Sequence, residues 1–219
     1  MEQKSNKLKR IAPPHPGRRF RICGFSLIEL LVVIAIIGIL SVLIVPAFNT
    51  ITGANAISTA TDRLVGALEL ARQIAVTKNK QTEVRFYDIP ATAWASDYRA
   101  FQVFEIEPSL QFTPATPVIT MGQPAVIARD TGLSTLLDTA RSKTWTTLDP
   151  QTSLPGVGTS YSCCYVRFRP EGTTDLDLSK KWHLTVVDAK TPSTTANPPA
   201  NFACVWVTPT TGSIRVLRP

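Results

Sequence analysis

The sequence predicts an α+β protein in which one long N-terminal helix precedes an antiparallel β-sheet. Three observations support this fold class. Residues 25–45 are an almost uninterrupted apolar run, residues 55–78 repeat apolar side chains at helical spacing, and short β-branched and aromatic segments follow from residue 82 onward. The 17 prolines favour loops and short strands over a helical bundle. A length of 219 residues fits one domain with an appendage.

The net charge is concentrated at the N-terminus. The first 24 residues contain seven basic side chains and one acid, Glu2, so they carry +6 of the total charge of +7. The rest of the chain is nearly neutral, which argues against a broad electrostatic surface for nucleic acid. A basic segment directly before an apolar one predicts that the N-terminus stays in the cytoplasm.

Residues 25–45 are long enough to cross a membrane. Helix geometry of about 1.5 Å per residue gives this segment the length of a bilayer core of about 30 Å. We therefore expect a transmembrane helix over residues 25–46, with Pro46 as a helix kink. A cleaved secretory signal has a shorter apolar region, of about 7–15 residues. Because Val45-Pro46-Ala47 has the small residues of such a cleavage site, that alternative stays open.

Glu29 is the single charged residue of the apolar run. An acid inside a membrane helix is unfavourable by a few kcal/mol, so it should have a partner or a function. If the chain were cut after Gly24, the new amine of Phe25 would lie one helical turn from this carboxylate, in the same chain or in a packed neighbour. Ser26 and Glu29 also have the spacing of a capping box. The alternative is a carboxylate that only reaches the lipid headgroups.

The remaining chain reads as a second helix followed by strands. Apolar residues line one face of an amphipathic helix within residues 47–80, and this face must be buried against the sheet. These residues are Leu64, Ala67, Leu68, Ala71, Ile74 and Ala75. Strands are predicted over residues 82–87, 99–106, 165–169, 182–187, 202–208 and 213–217, with turns at 170–172 and 210–212.

The segment between the second and third predicted strands has no clear pattern. Four prolines in residues 107–124 predict a loop. Leu133, Leu136 and Leu137 predict a short helix, and the rest of residues 130–160 reads as irregular. The expected organisation is a basic leader (1–24), a membrane helix (25–46), an amphipathic stalk helix (47–80) and a β-rich globular domain (81–219).

The heptapeptide Gly24-Phe25-Ser26-Leu27-Ile28-Glu29-Leu30 resembles the processing motif of type IV prepilins and type II secretion pseudopilins. The resemblance implies that a membrane-bound prepilin peptidase cuts after Gly24 and methylates Phe25, and that Glu29 serves in subunit assembly. Pro46 falls where members of this family often bend the helix. A leader of 24 residues is long for the family, which bears on the true start codon and not on the cut.

The body resembles the GspH/FimT-like group of minor pseudopilins and pilins. This resemblance lies in residues 70–79, 84–86, 166–173 and 207–219. The chain also resembles the prepilin-like proteins of the Verru_Chthon cassette. The resemblance to the GspH/FimT-like group implies a minor pilin or pseudopilin of the bacterial inner membrane, with a periplasmic body, that assembles into a filament with other pilin subunits. The alternative is a DNA-binding minor pilin of a competence pilus, which would use Arg167, Arg169, Arg215 and Arg218.

No motif of an enzyme is present in the sequence, so we expect neither a catalytic residue nor a cofactor. His183 is the single histidine after the leader and lies in a predicted strand. Asp175 and Asp177 alternate as calcium ligands do, but the glycine and bidentate acid of an EF-hand loop are missing, and a solvated turn is the simpler interpretation.

Three cysteines follow the predicted cut: Cys163, Cys164 and Cys204. A periplasmic location would permit a disulfide between Cys204 and one of the adjacent pair. Three reduced thiols in the core are the equally weighted alternative. The sequence has no C-x-x-C spacing, so a zinc site is not expected.

Overall fold

The computed structural model describes residues 26–89, 97–144, 153–154, 158–159, 161–191 and 193–219, and for residues 42–54, 97, 139, 143 and 144 it describes the backbone alone. The chain forms two compact units, Met1–Val45 and Pro46–Pro219. The predicted leader, residues 1–24, lies outside the described residues.

A single helix, α1, runs from Leu27 to Lys78. It ends because Asn79 takes a left-handed conformation, with φ of 51°, which asparagine tolerates better than most residues. The Lys80 N–H then donates to the Ala75 carbonyl at 3.2 Å, the bond that closes a Schellman motif. Pro46 lies within the range of α1, and the predicted kink and domain boundaries there stay predictions.

The rest of the described chain forms an antiparallel sheet. Its strands are β1 (Gln81–Ile89), β2 (Asp97–Ile106), β3 (Phe112–Pro114), β4 (Ile119–Thr120), β5 (Ala125–Ile127), β6 (Ser142–Thr144), β7 (Ser162–Phe168), β8 (Trp182–Asp188), β9 (Ala203–Val207) and β10 (Ile214–Leu217). The sheet order is β10-β9-β8-β5-β2-β1-β7-β6, and β3 and β4 pair with β2 beside β5. The predicted α+β architecture, a long helix followed by an antiparallel sheet, is confirmed.

All six predicted strands are present as β1, β2, β7, β8, β9 and β10, with ends shifted by a few residues. The prediction of a loop over residues 107–124 was wrong in part, because β3 and β4 lie there. β5 covers only the beginning of the ten-residue β2, through Tyr98 and Ile127. The remaining edge of β2 pairs with Pro114 opposite Phe104 and with Thr120 opposite Ala100.

Residues 130–160 also differ from the prediction of mostly irregular chain. β6 pairs with β7 through Ser142 and Cys164. The short helix predicted around Leu136 and Leu137 is confirmed as a 3₁₀ helix over Thr135–Leu137, and a second 3₁₀ helix follows over Thr139–Arg141.

The main core lies between one face of the sheet and residues 57–75 of α1, which form the body part of this helix. Leu64, Leu68 and Ala71 are fully buried there, at helical spacing. The sheet contributes apolar residues from the inward positions of its strands: Val84, Phe86, Phe101, Val103, Val166, Phe168, Leu184 and Val205. Thr82 fixes the helix on the sheet, because its hydroxyl donates to the Ala71 carbonyl at 2.9 Å. The predicted amphipathic face is therefore buried as expected.

Candidate processing and assembly site

Ser26 and Glu29 cap the N-terminus of α1 reciprocally. The Ser26 hydroxyl oxygen accepts a hydrogen bond from the Glu29 N–H at 3.3 Å. The Glu29 carboxylate accepts one from the Ser26 N–H, with 2.9 Å between the nitrogen and Oε2. Two of the backbone donors that a helix start leaves unsatisfied are thereby bonded. The predicted capping box is confirmed.

The position of Glu29 in the first turn is electrostatically favourable. A carboxylate near a helix N-terminus interacts with the partial positive charge of the exposed N–H groups. Glu29 is the one acidic residue of this turn, and it is exposed. Gly24 and Phe25, between which the cut is predicted, lie outside the described residues. A cut there would leave Phe25 alone ahead of the capping residue Ser26.

Apolar side chains are exposed on all sides of α1 after this cap. Exposed fractions range from 43% at Val33 to 82% at Leu27. The set comprises Leu27, Ile28, Leu30, Leu31, Val32, Val33, Ile34, Ile36, Ile37, Ile39 and Leu40. A helix that is apolar all round requires surroundings that are apolar as well.

Within the described part of the chain, no helix combines the length and the hydropathy expected of a membrane-crossing segment.

The body carries a buried polar layer on the sheet face opposite α1. Glu83 is fully buried and accepts from two arginines, from Arg85 Nε at 2.6 Å and from Arg167 Nε at 2.8 Å. The Arg85 guanidinium also lies over two aromatic rings, with its carbon 4.1 Å from the centroid of Phe104 and 4.7 Å from that of Phe112. Phe112 belongs to β3, so the segment predicted as a loop supplies one of the two rings that lie against Arg85.

The four arginines of the DNA-binding alternative differ in their contacts. Arg167 is bound to Glu83, and Arg218 donates to the Ser58 hydroxyl at 3.1 Å. Arg169 and Arg215 are exposed. Arg167 lies on β7 and Arg215 on β10. This arrangement gives the DNA-binding alternative no specific support.

The three cysteines of the body are free thiols. Cys163 and Cys164 are adjacent on β7, so they face opposite sides of the sheet, and both are buried. Burial raises the pKa of the Cys164 thiol. Cys204 lies on β9. Both alternatives, a disulfide to Cys204 and three reduced thiols, stay predictions.

The carboxylates of Asp175 and Asp177 already have protein donors. Asp175 accepts from Arg141 Nη2 at 2.6 Å and from the Arg167 N–H at 2.9 Å. Asp177 accepts from the backbone N–H and the hydroxyl of Ser179, which together lower the pKa of this carboxyl. Among the residues that the structure describes, no three acidic, histidine or cysteine side chains cluster as metal ligands.

His183 has structural contacts. Its Nδ1 lies 3.2 Å from the Thr135 hydroxyl, and its ring stacks on Trp206 with 6.2 Å between centroids. These contacts tie β8 to the 3₁₀ helix and to β9.

Sequence reasoning missed the role of Arg72. Its Nε donates to the Thr211 carbonyl at 3.0 Å and lies 3.4 Å from the Gly172 carbonyl oxygen. Gly172 and Gly212 both have positive φ, at 80° and 60°. Arg72 therefore joins the two predicted turns to α1. Three of the four segments that carry the resemblance of the body, residues 70–79, 166–173 and 207–219, meet at this side chain, a convergence that only the fold reveals.

Comparison with known proteins gives one match to a protein family. Residues 19–45 match the model of the prokaryotic N-terminal methylation motif. No curated protein matches the chain.

Solved structures with a similar layout were also found. The minor pseudopilin EpsH of the Vibrio cholerae type 2 secretion system is 10% identical, with a TM-score of 0.41 over 74% of this chain and 97% of that one. The type IV minor pilin FimU of Pseudomonas aeruginosa is 10% identical, with a TM-score of 0.43 over 75% of this chain and 93% of that one.

The matched residues 19–45 contain Gly24, Phe25 and Glu29, the positions on which the resemblance to prepilins was based. The chain therefore carries the prokaryotic N-terminal methylation motif, placed ahead of an α+β body.

Proposed function

We propose that the protein is a minor pilin or pseudopilin, a structural subunit of a type IV pilus or of a type II secretion-like filament. The match of residues 19–45 to the methylation motif is the observation that carries this proposal. The capped helix start and the exposed apolar surface that follows it support it independently. In this role the chain is the substrate of a processing enzyme and is not an enzyme itself.

Processing begins in the leader. A prepilin peptidase cuts between Gly24 and Phe25 on the cytoplasmic side and methylates the new amine of Phe25. Glycine has no side chain, so the peptidase can approach the backbone at this bond closely. The cut creates a basic amine on Phe25, and a single methyl group leaves that amine basic.

The apolar segment then anchors the subunit in the bacterial inner membrane. The basic leader holds the N-terminus in the cytoplasm, and the body lies in the periplasm. In hydrocarbon, apolar side chains alone provide no driving force for helices to associate, and a polar contact between helices can fix their register. The Glu29 carboxylate provides that contact, through the Phe25 amine of a neighbouring pilin subunit.

The cleavage step gives the most direct test of this function. Gly24→Val should block processing, because a branched side chain next to the scissile bond hinders the peptidase. Gly17→Val, in the same leader, is the matched control and should be processed normally. The measurement is the size of the membrane-bound chain on an immunoblot of cells that contain a prepilin peptidase. A mature-size band in the Gly24→Val strain would contradict the proposal.

A further inference from the structure

We infer that the tip of the β2–β3 hairpin, residues 108–110, docks into an apolar groove beside Leu176, Leu178 and Pro209 of a second copy of this chain. The inference rests on the proposed function and deepens it, because it names a contact through which one body binds the next. It concerns residues of the body alone, far along the chain from the methylation motif.

Leu110, in the tip, combines an unfavourable backbone conformation with an exposed apolar side chain. Its φ is 61°, in the left-handed region that glycine and asparagine adopt far more readily than leucine. It is also 76% exposed, so its side chain gains little from burial within the chain. Glycine is the usual residue at this place in a three-residue hairpin loop. The fold therefore does not account for leucine at position 110, whereas an apolar contact outside the chain does.

The hairpin holds the tip in a fixed conformation. The Leu110 N–H donates to the Glu107 carbonyl, and the Glu107 N–H donates to the Gln111 carbonyl, both at 2.8 Å. Pro108 fixes φ at the second position of this turn. Lys80 Nζ lies 2.8 Å from both carboxylate oxygens of Glu107, which ties the loop to the chain that follows α1. A tip that is already ordered loses little conformational entropy on binding.

The groove lies between the chain that follows β7 and the turn between β9 and β10. Leu176 lies buried in it, Leu178 and Pro209 line it, and its volume is about 450 Å³, within the range of pockets that hold small ligands. Leu178 is 71% exposed, so the apolar wall is uncovered. The turn at Leu178 is also held firmly, because Trp182 Nε1 donates to the Asp177 carbonyl at 2.8 Å.

The tip and the groove are complementary in polarity and in charge. Both present apolar side chains, and one projects where the other is concave. Arg169 lines the groove, and its guanidinium has no acidic partner among the described residues. Glu107, at the base of the tip, keeps 32% of its side chain exposed. An opposite charge on each partner orients the approach of two surfaces.

The exposure of both surfaces implies that they meet between chains. Leu110 and Leu178 are each more than two-thirds exposed, so the tip does not fill the groove of its own chain. A contact between two different surfaces of identical chains is heterologous, and it propagates into an open filament where the rotation does not close. This symmetry fits a filament subunit.

Two cysteine substitutions test the contact in the full-length chain. Leu110→Cys and Leu178→Cys are introduced separately and together, and cells of the native host are treated with a short bismaleimide. Cross-linked species are separated by size and identified by mass spectrometry. The wild-type chain, with its native cysteines, is the control for background cross-linking.

The pattern of products reports the symmetry of the contact. We expect the double variant to give a ladder of dimers, trimers and larger species. Two differently tagged chains, one with Leu110→Cys and one with Leu178→Cys, should give a dimer and nothing larger. Each single variant on its own should remain at the wild-type background.

Leu110→Gly supplies a second measurement that does not depend on cysteine chemistry. Glycine relieves the backbone conformation at this position, so the urea midpoint of the body should rise or stay unchanged. Pull-down of differently tagged copies should fall several-fold. Gln111→Ala, at an exposed neighbouring residue, is the matched control and should pull down copies as the wild type does.

Three results would overturn the inference: a double variant without a ladder, a dimer from Leu110→Cys alone, or cross-links that join the tip to a different protein. Wild-type pull-down by Leu110→Gly would overturn it as well. Each of these results leaves the proposed function standing if Phe25 is found methylated at the mature N-terminus. An unprocessed chain would instead contradict the proposed function.

Discussion

Residues 27–40 and residues 57–75 belong to the same helix, yet their apolar side chains have opposite surroundings. In the first stretch, every large apolar residue is exposed, by at least 43%. In the second, the inward residues are at most 3% exposed, since the sheet covers them. The body part of α1 is covered by the sheet, and the large apolar residues of the first stretch stay exposed.

The composition of the two stretches matches this difference. The buried stretch alternates alanine with larger residues, as in Ala60, Leu64, Ala67 and Leu68, which lets the helix approach the sheet closely. Most of its outward positions are polar or charged, such as Asp62 and Glu69, with Leu70 as an apolar exception. Glu29 is the single polar side chain of the exposed stretch. Ser41, which follows it, donates its hydroxyl to the Ile37 carbonyl.

The largest effect should come from a charge in the buried stretch. Leu64→Asp places a carboxylate in the helix–sheet core, and the loss of burial together with the desolvated charge should approach the total stability of a domain, about 5–15 kcal/mol. We expect the body to unfold, monitored by the fluorescence of buried Trp182 in the detergent-solubilised full chain.

The matched substitution Leu31→Asp should leave the Trp182 signal unchanged and reduce the amount of chain in the membrane fraction. Loss of the folded body in both variants would break the comparison between the two stretches.

A second large effect should come from the polar layer on the other face of the sheet. Glu83→Ala leaves Arg85 buried without its acid, and breaking such a pair typically costs about 3–5 kcal/mol. Urea denaturation of the full chain in detergent measures this change in the free energy of unfolding.

Glu105→Ala is the control for Glu83→Ala. Glu105 pairs with Lys78 at 2.6 Å, but the lysine side chain is 53% exposed, so we expect about 1 kcal/mol or less. Equal destabilisation by the two variants would show that the buried Glu83–Arg85 pair contributes no more to the free energy of unfolding than the Glu105–Lys78 pair.

A smaller effect, in the stabilising direction, is expected at Gly66. This glycine lies within α1, and a Cβ added there would meet nothing within 4 Å. Gly66→Ala should raise the free energy of unfolding of the body by about 0.5–1 kcal/mol, because alanine favours the helix.

Gly38→Ala serves as the counterpart in the exposed stretch, where a Cβ also has open space. It should leave the urea midpoint of the body unchanged. A decrease in stability for Gly66→Ala would mean that the helix surface is covered at that position.

No effect at all is expected from a reducing agent. The three thiols of the body are free, so dithiothreitol should not shift the thermal midpoint, whereas loss of a disulfide typically costs about 2–5 kcal/mol. Alkylation of the unfolded mature chain without prior reduction should label all three cysteines. Labelling of one cysteine would instead establish a disulfide in the body.

The features that the sequence predicts well are local ones. The capping box requires only Ser26 and Glu29, three residues apart. The end of α1 at Lys78 follows from neighbouring residues, and the six longer strands follow from their own alternation and from the turns between them. The processing motif is likewise contained in seven consecutive residues.

The features that were missed depend on residues distant in the chain. β3 and β4 exist because a long β2 has an edge that β5 leaves open, and no property of a two- or three-residue segment with prolines predicts that. Glu83 and Arg85 look like outward positions of an alternating strand, yet both are buried, and the Arg85 guanidinium lies over Phe104 and Phe112. Arg72 reaches turns 100 and 139 residues away.

The central claim is that this chain is processed as a prepilin, and the mass of the mature protein's N-terminal peptide tests it most directly. The chain is purified from membranes of cells that contain a prepilin peptidase and is digested for mass spectrometry. We predict a peptide that begins at Phe25 and carries one methyl group on its amine. A peptide that begins at Phe48, as cleavage of a conventional secretory signal after Ala47 would produce, would contradict this account, as would an intact leader.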